Sequence, residues 1–197
     1  VSLLSADTLT REALAAAAGR VSAGSLEALI QSGKYLREAT IDRACLAQTL
    51  TQFESGNRTG LVVGGASGIG KSSFIARCVD RWQEKGHAVA FYRASALSDP
   101  DVSQRLLRDL GVSNGMPDLE ELLSAANPLF ADTDHRFLLV VDAVNEFPGD
   151  VAALVRELDA LVHQAKSHPW FRVVASVREG TQRRLPPDAR FGTRGIG

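Results

Sequence analysis

The chain of 197 residues, 45% of them hydrophobic, is long enough to bury one sizeable α/β core and too short for two large domains. Its formal net charge of −1, with both signs interspersed, excludes a protein drawn to nucleic acid by overall charge. The longest strongly apolar run, Phe137 to Val141, is far short of a membrane span, so the expectation is a soluble chain. Cys45 and Cys78 lack C-x-x-C spacing and a secretory leader, which fits buried thiols in a reduced, cytoplasmic compartment. The four histidines (His87, His135, His163, His168) are scattered and show no zinc-site spacing.

Residues 1–33 hold two short helical patterns, Thr8 to Ala18 and Ser25 to Gln31, the second capped by Ser25 and closed by Gly33. They read as a small helical appendage. Leu14 to Ala18 follows Asp7 and Glu12 with no basic leader, so it is a helix and not a signal peptide. Thr40 caps a third expected helix, with Ile41, Cys45, Leu46, Leu50 and Phe53 on one face, before Gly56 to Gly60 turns the chain into a first strand, Leu61-Val62-Val63.

That strand opens onto the most informative stretch, Gly65-Ala66-Ser67-Gly68-Ile69-Gly70-Lys71-Ser72, which fits G-x-x-x-x-G-K-[ST] and is followed by Ser73. Glycines let successive backbone N–H groups wrap phosphates, Lys71 reaches the β/γ oxygens, and the Ser72 hydroxyl is a ligand for Mg²⁺. Gly65 to Ser73 are therefore the expected nucleotide-binding residues. The bland alternative is a glycine-rich turn. An amphipathic helix follows to Lys85, then a second strand, Ala88 to Tyr92.

Ser98-Asp99-Pro100 starts the next expected helix, with Pro in the first turn and Gly111 at the exit after Leu110. Asp118 to Ala126 is a shorter one, stopped by Asn127-Pro128. Phe137 to Val141 reads as a central parallel strand, apolar on both faces, with Asp142 at its tip. An acid there, opposite Ser72, is placed to hold Mg²⁺; the alternative is a capped turn. Glu146, four residues on, is the candidate base that orients water, against an ordinary exposed loop glutamate. Asp150 opens an amphipathic helix carrying Val151, Leu154, Val155, Leu158, Leu161, Val162 and Ala165. The fourth strand, Phe171 to Val177, ends on Arg178, which faces the γ-phosphate or, in the alternative, pairs with Glu179 at the surface. Lys71, Glu146 and Arg178 are the expected catalytic set. Strands alternating with helices imply parallel βαβ units, with ligands outside the carboxyl ends of the strands.

These pieces, in this order, resemble the STAND class of AAA-like P-loop ATPases, relatives of NACHT domains. The matching residues are Gly65–Ser72, the extended acid motif Asp142-Ala143-Val144-Asn145-Glu146, the strand end Ser176-Val177-Arg178, and Lys34-Tyr35-Leu36-Arg37 ahead of the helix that leads into the phosphate loop. Asn145 stands where many relatives carry an acid, and Val177 separates Ser176 from Arg178. The resemblance covers about residues 34–185, leaving 186–197 as a connector. It implies a P-loop fold, ATP/ADP with Mg²⁺, slow hydrolysis, self-association in a longer parent protein, and effector and sensor domains outside this chain. The initial Val and the glycine-rich last segment fit that expectation of a fragment. Alternatives from other classes are a P-loop small-molecule kinase, whose lid the tail arginines Arg178, Arg183, Arg184, Arg190 and Arg194 would form although Pro186-Pro187, Glu179 and Asp188 favour a solvated connector, and a nucleotide-stabilised interaction module without useful hydrolysis. A DNA-loading ATPase lacks a recognition helix and a basic aromatic surface here, and GTP specificity lacks N-K-x-D.

Overall fold

A computed structural model describes residues 4–5, 8–36, 44–112, 116 and 118–182, with the backbone alone at 44–48 and 182. Strands β1 (Gly60–Gly65), β2 (Ala88–Arg93), β3 (Phe137–Asp142) and β4 (Phe171–Arg178) form an all-parallel sheet in the order β1-β4-β3-β2. The α/β arrangement of a parallel sheet flanked by helices is thus the expected one. Parallel strands need crossovers that cover both faces, and β3 is accordingly buried along its whole length and β4 up to Arg178.

Successive side chains of each strand point to opposite faces. Leu138, Val140 and Val174 meet Leu50 and Phe53 of α2 (Ala44–Ser55) and Ile75, Val79 and Trp82 of α3 (Lys71–Glu84). Leu139, Val141, Val173 and Ala175 meet α4 (Val102–Leu110), α5 (Leu119–Phe130) and α6 (Val151–Gln164) through residues such as Leu106, Leu122, Leu154 and Leu158. The chain ends its described part in a single turn, α7 (Glu179–Gln182).

The N-terminal region departs from the sequence reading. In place of two short helices there is one, α1 (Arg11–Gln31), capped by Thr10, whose hydroxyl accepts the Ala13 N–H at 3.1 Å. Ser25 lies inside it and caps nothing. Gly19 and Gly24 do not break it because packing outweighs their propensity cost of about 1 kcal/mol each. Leu14, Ala17 and Ala18 join the core on one side of the sheet, and Leu26 and Leu29 join it on the other, so α1 lies across the open edge of β2. Between them sits Ser22, fully buried, whose Oγ donates to the Val89 carbonyl at 2.6 Å and accepts the Phe91 N–H at 3.0 Å. A single hydroxyl thereby satisfies two edge groups that no strand pairs. By length and composition α1 is apolar enough to cross a membrane, alone among the described helices, and a third of that apolar stretch is buried in the fold.

Two further helix boundaries differ. Helix α4 starts after Asp101, whose carboxylate accepts the Gln104 N–H, so Pro100 precedes the cap instead of occupying the first turn. Helix α5 runs through Pro128 to Phe130. The last turn is held from outside: Phe130 stacks on Trp170 at 4.3 Å between centroids, and Asn127 Oδ1 accepts the Trp170 indole N–H at 2.8 Å. Those contacts offset the bond that proline removes. The expected cap at Thr40, and Ile41, lie outside the described residues, as do the side chains of Cys45 and Leu46. Cys78 is a buried thiol.

Candidate functional site

The carboxyl ends of the four strands converge on one side of the sheet, and β1 passes there into the glycine loop. Gly68 (φ 80°) and Gly70 (φ 86°) adopt left-handed backbone that a side chain would strain. Gly70 is also the N-cap of α3 and offers no side-chain acceptor, so the first N–H groups of that helix and its positive dipole end are left for an anion. The Lys71 ammonium donates to the carbonyls of Gly65 at 2.9 Å and Ala66 at 2.7 Å, which holds it over the loop. Burial pulls its pKa below the usual lysine value, and Arg178 adds to this, while Asp142 and Glu146 oppose it. The three charged groups named from the sequence are therefore near enough for their charges to act on Lys71.

The second half of the site comes from β3 and β4. Asp142, 1% exposed, accepts a hydrogen bond at 2.5 Å from the hydroxyl of Ser176, which itself accepts the Ala143 N–H at 2.8 Å. Ala143 (φ 55°, ψ 50°) is the one non-glycine residue with positive φ among the described residues. Such backbone costs on the order of 1–2 kcal/mol and persists where surrounding contacts determine it. The left-handed step turns the chain sharply from β3 into a 3₁₀ turn, Val144–Glu146, anchored by buried Val144. Asn145 Oδ1 then accepts the Arg178 N–H at 3.1 Å, and Glu146 Oε1 lies 3.4 Å from Arg178 Nη2. Arg178 thus pairs with Glu146; both side chains are partly exposed, so the pair adds little stability.

Strand order explains why these groups meet. Because β4 lies between β1 and β3, Arg178 is in register with Gly65 on one side, while Ser176 bonds to Asp142 on the other. The resulting cavity of about 370 Å³ is lined by Ser67, Gly68, Gly70, Lys71, Ser72 and Ser73 from the loop side, and by Ala143, Asn145, Glu146, Ser176 and Arg178 opposite, with Lys34 at its margin. Gly65 and Ala66 serve it through the carbonyls that hold Lys71, Ile69 is half-buried in the same turn, and Asp142 lies behind the wall formed by Ala143 and Ser176. Sequence reasoning gave Ser176 and Asn145 no chemistry of their own. A serine in an apolar strand carries no signal until the neighbouring strand is known.

The donor set suits a hard cation: the Ser72 hydroxyl lines the cavity and Asp142 supplies a buried carboxylate. Magnesium takes few protein oxygens and keeps waters and phosphate oxygens, and among the described residues no cluster of three His, Cys, Asp or Glu side chains offers an all-protein metal cage. A larger cavity, about 520 Å³, opens at the opposite, amino-terminal end of the strands beside Trp82, His87, Arg136 and Arg172. It holds none of the phosphate-binding groups. There the guanidinium of buried Arg172 donates to the carbonyls of Phe53, Glu54 and Gly56 and so closes the end of α2. Burial brings its pKa down to about 10.

Residues 59–190 match the family model of the NACHT domain. No curated protein matches the chain.

Proposed function

Since the chain belongs to the NACHT family, whose domain is a nucleotide-binding NTPase module, we propose that it binds ATP with Mg²⁺ and hydrolyses it slowly as a signalling switch. The observation that carries this reading is one loop-lined cavity that brings Lys71, Glu146 and Arg178 together, with Asp142 bonded to Ser176 directly behind its wall. Residues Gly65 to Ser73 would cradle the phosphates through backbone N–H groups, with Lys71 offsetting charge on the β/γ oxygens. Ser72 and Asp142 would hold the magnesium ion, whose contribution when bound is to neutralise phosphate charge. Glu146 orients and polarises the attacking water, and Arg178 meets the γ-phosphate. In the apposition seen here Arg178 instead engages Glu146, so a γ-phosphate that draws Arg178 away would free the base.

The same pairing favours one second reading, a nucleotide-stabilised interaction module in which Glu146 stays engaged and hydrolysis is negligible. Incubation with Mg·ATP and no added acceptor separates the readings: slow release of free phosphate supports the switch, and tight binding without release supports the module. Turnover that requires a particular metabolite would point to a kinase. A cytoplasmic location, ATP-dependent self-association and an attached effector belong to the switch proposal through the family resemblance.

A further inference from the structure

We propose that Ser176 is a positioning residue for the cation site, setting which way the Asp142 carboxylate faces; this rests on the reading of Asp142 as a magnesium ligand. Ser176 is 1% exposed and sits in β4, the strand between the phosphate-loop strand and β3. A hydroxyl has one proton and two lone pairs. Here a lone pair takes the Ala143 N–H at 2.8 Å, which leaves the proton for Asp142 Oδ1 at 2.5 Å. The bond is charge-assisted, since its acceptor is a carboxylate.

Two consequences follow from that one side chain. The Asp142 carboxylate is pinned through Oδ1, so a cation held by Asp142 would meet its other oxygen without a rotamer search. The backbone step at Ala143, left-handed at φ 55°, is held by the same oxygen, and that step aims the Val144–Glu146 turn toward Arg178. A merely space-filling residue at 176 would leave a buried carboxylate and a buried N–H without this partner, and neither group would have a fixed direction.

The test titrates Mg²⁺ against ATP binding by calorimetry for the parent chain, Ser176→Ala, Ser176→Cys and Ser176→Thr, repeats each affinity in EDTA, and records thermal melting. Ser176→Cys keeps the side-chain size but offers only a weak S–H donor, so it carries the test should the alanine variant fail to fold. The expected result is an Mg²⁺ midpoint about tenfold higher for Ser176→Ala and Ser176→Cys, the lower end of what a hydrogen bond to a charged group contributes. Affinity in EDTA stays at the parent value, and Ser176→Thr, which retains a hydroxyl, restores the parent midpoint. The inference is overturned if the folded variants keep the parent Mg²⁺ midpoint, or if affinity falls equally with and without Mg²⁺, the mark of a purely structural residue. Asp142→Asn is measured beside them: should it leave the Mg²⁺ midpoint unmoved, the cation reading of Asp142 has failed, whereas a shift there with none at Ser176 defeats this inference alone.

Discussion

Replacing Ser22 by alanine removes one oxygen atom and strands two backbone groups. The Val89 carbonyl and the Phe91 N–H on the open edge of β2 both depend on the Ser22 hydroxyl, at 2.6 and 3.0 Å, and the residue is fully buried. A buried polar group left without a partner costs about 1–3 kcal/mol, so two give roughly 2–6 kcal/mol. Alanine returns a few tenths of a kcal/mol in helix propensity, and local adjustment of α1 admits some water at the sheet edge. The expected net loss is therefore about 2–4 kcal/mol, a large part of the ~5–15 kcal/mol that holds a domain together. Urea unfolding followed by tryptophan fluorescence should show a lower midpoint with an unchanged slope, because the surface exposed on unfolding is the same. Ser25→Ala is the internal control. As a helix-interior residue it should be neutral or slightly stabilising, whereas the loss of a true helix cap would cost about 1 kcal/mol. A Ser22→Ala loss below about 0.5 kcal/mol, or a cap-sized loss at Ser25, would refute the continuous edge-covering helix.

Lys71→Ala deletes the charge held over the loop by the Gly65 and Ala66 carbonyls and should weaken ATP binding by about tenfold to a hundredfold while melting near the parent temperature; calorimetry checks the first and scanning fluorimetry the second. His87 accepts the Arg136 N–H through Nδ1 and is held down to about 4, chiefly by burial and then by His135, with Lys85 and Arg136 acting the same way and Glu54 opposing. The unfolded chain therefore takes up this proton first, and stability should fall as pH drops from about 6.5 toward 4, by no more than about 2 kcal/mol for a half-exposed ring. His87→Leu should flatten that part of the pH profile; an unchanged slope would remove His87 as its source.

The phosphate loop was legible because its chemistry needs fixed residue types at fixed spacing, and the alternation of apolar strands with capped helices was enough for a parallel α/β sheet. Asp118 and Asp150 cap their helices as their positions imply, accepting the N–H groups of Glu121 and Ala152. What could not be read was decided by tertiary contacts. Gly19, Gly24 and Ser25 look like punctuation, yet α1 continues because both its halves are buried along the β2 edge. Pro128 looks like a stop, yet the stack of Phe130 on Trp170 carries α5 past it. In the site, Asp142 and Arg178 were named from their places at strand ends and Glu146 from its place four residues beyond Asp142, but the order β1-β4-β3-β2 was needed to show that one strand borders both the loop and the acid. The pairing of Arg178 with Glu146 and the bridge from Ser176 to Asp142 are products of that order.

The proposed hydrolysis assigns Glu146 to the attacking water and leaves Mg·ATP binding to the phosphate loop and Asp142. The direct measurement is phosphate release and ATP affinity for Glu146→Gln beside the parent chain, in the same buffer and at saturating Mg²⁺. An uncharged amide keeps the side-chain size and its reach to Arg178, so affinity should stay within about twofold, while hydrolysis falls by roughly the 10²–10⁴-fold expected for a lost general base. Hydrolysis by Glu146→Gln at the parent rate would contradict it, leaving Glu146 a loop residue and the chain a nucleotide-binding module.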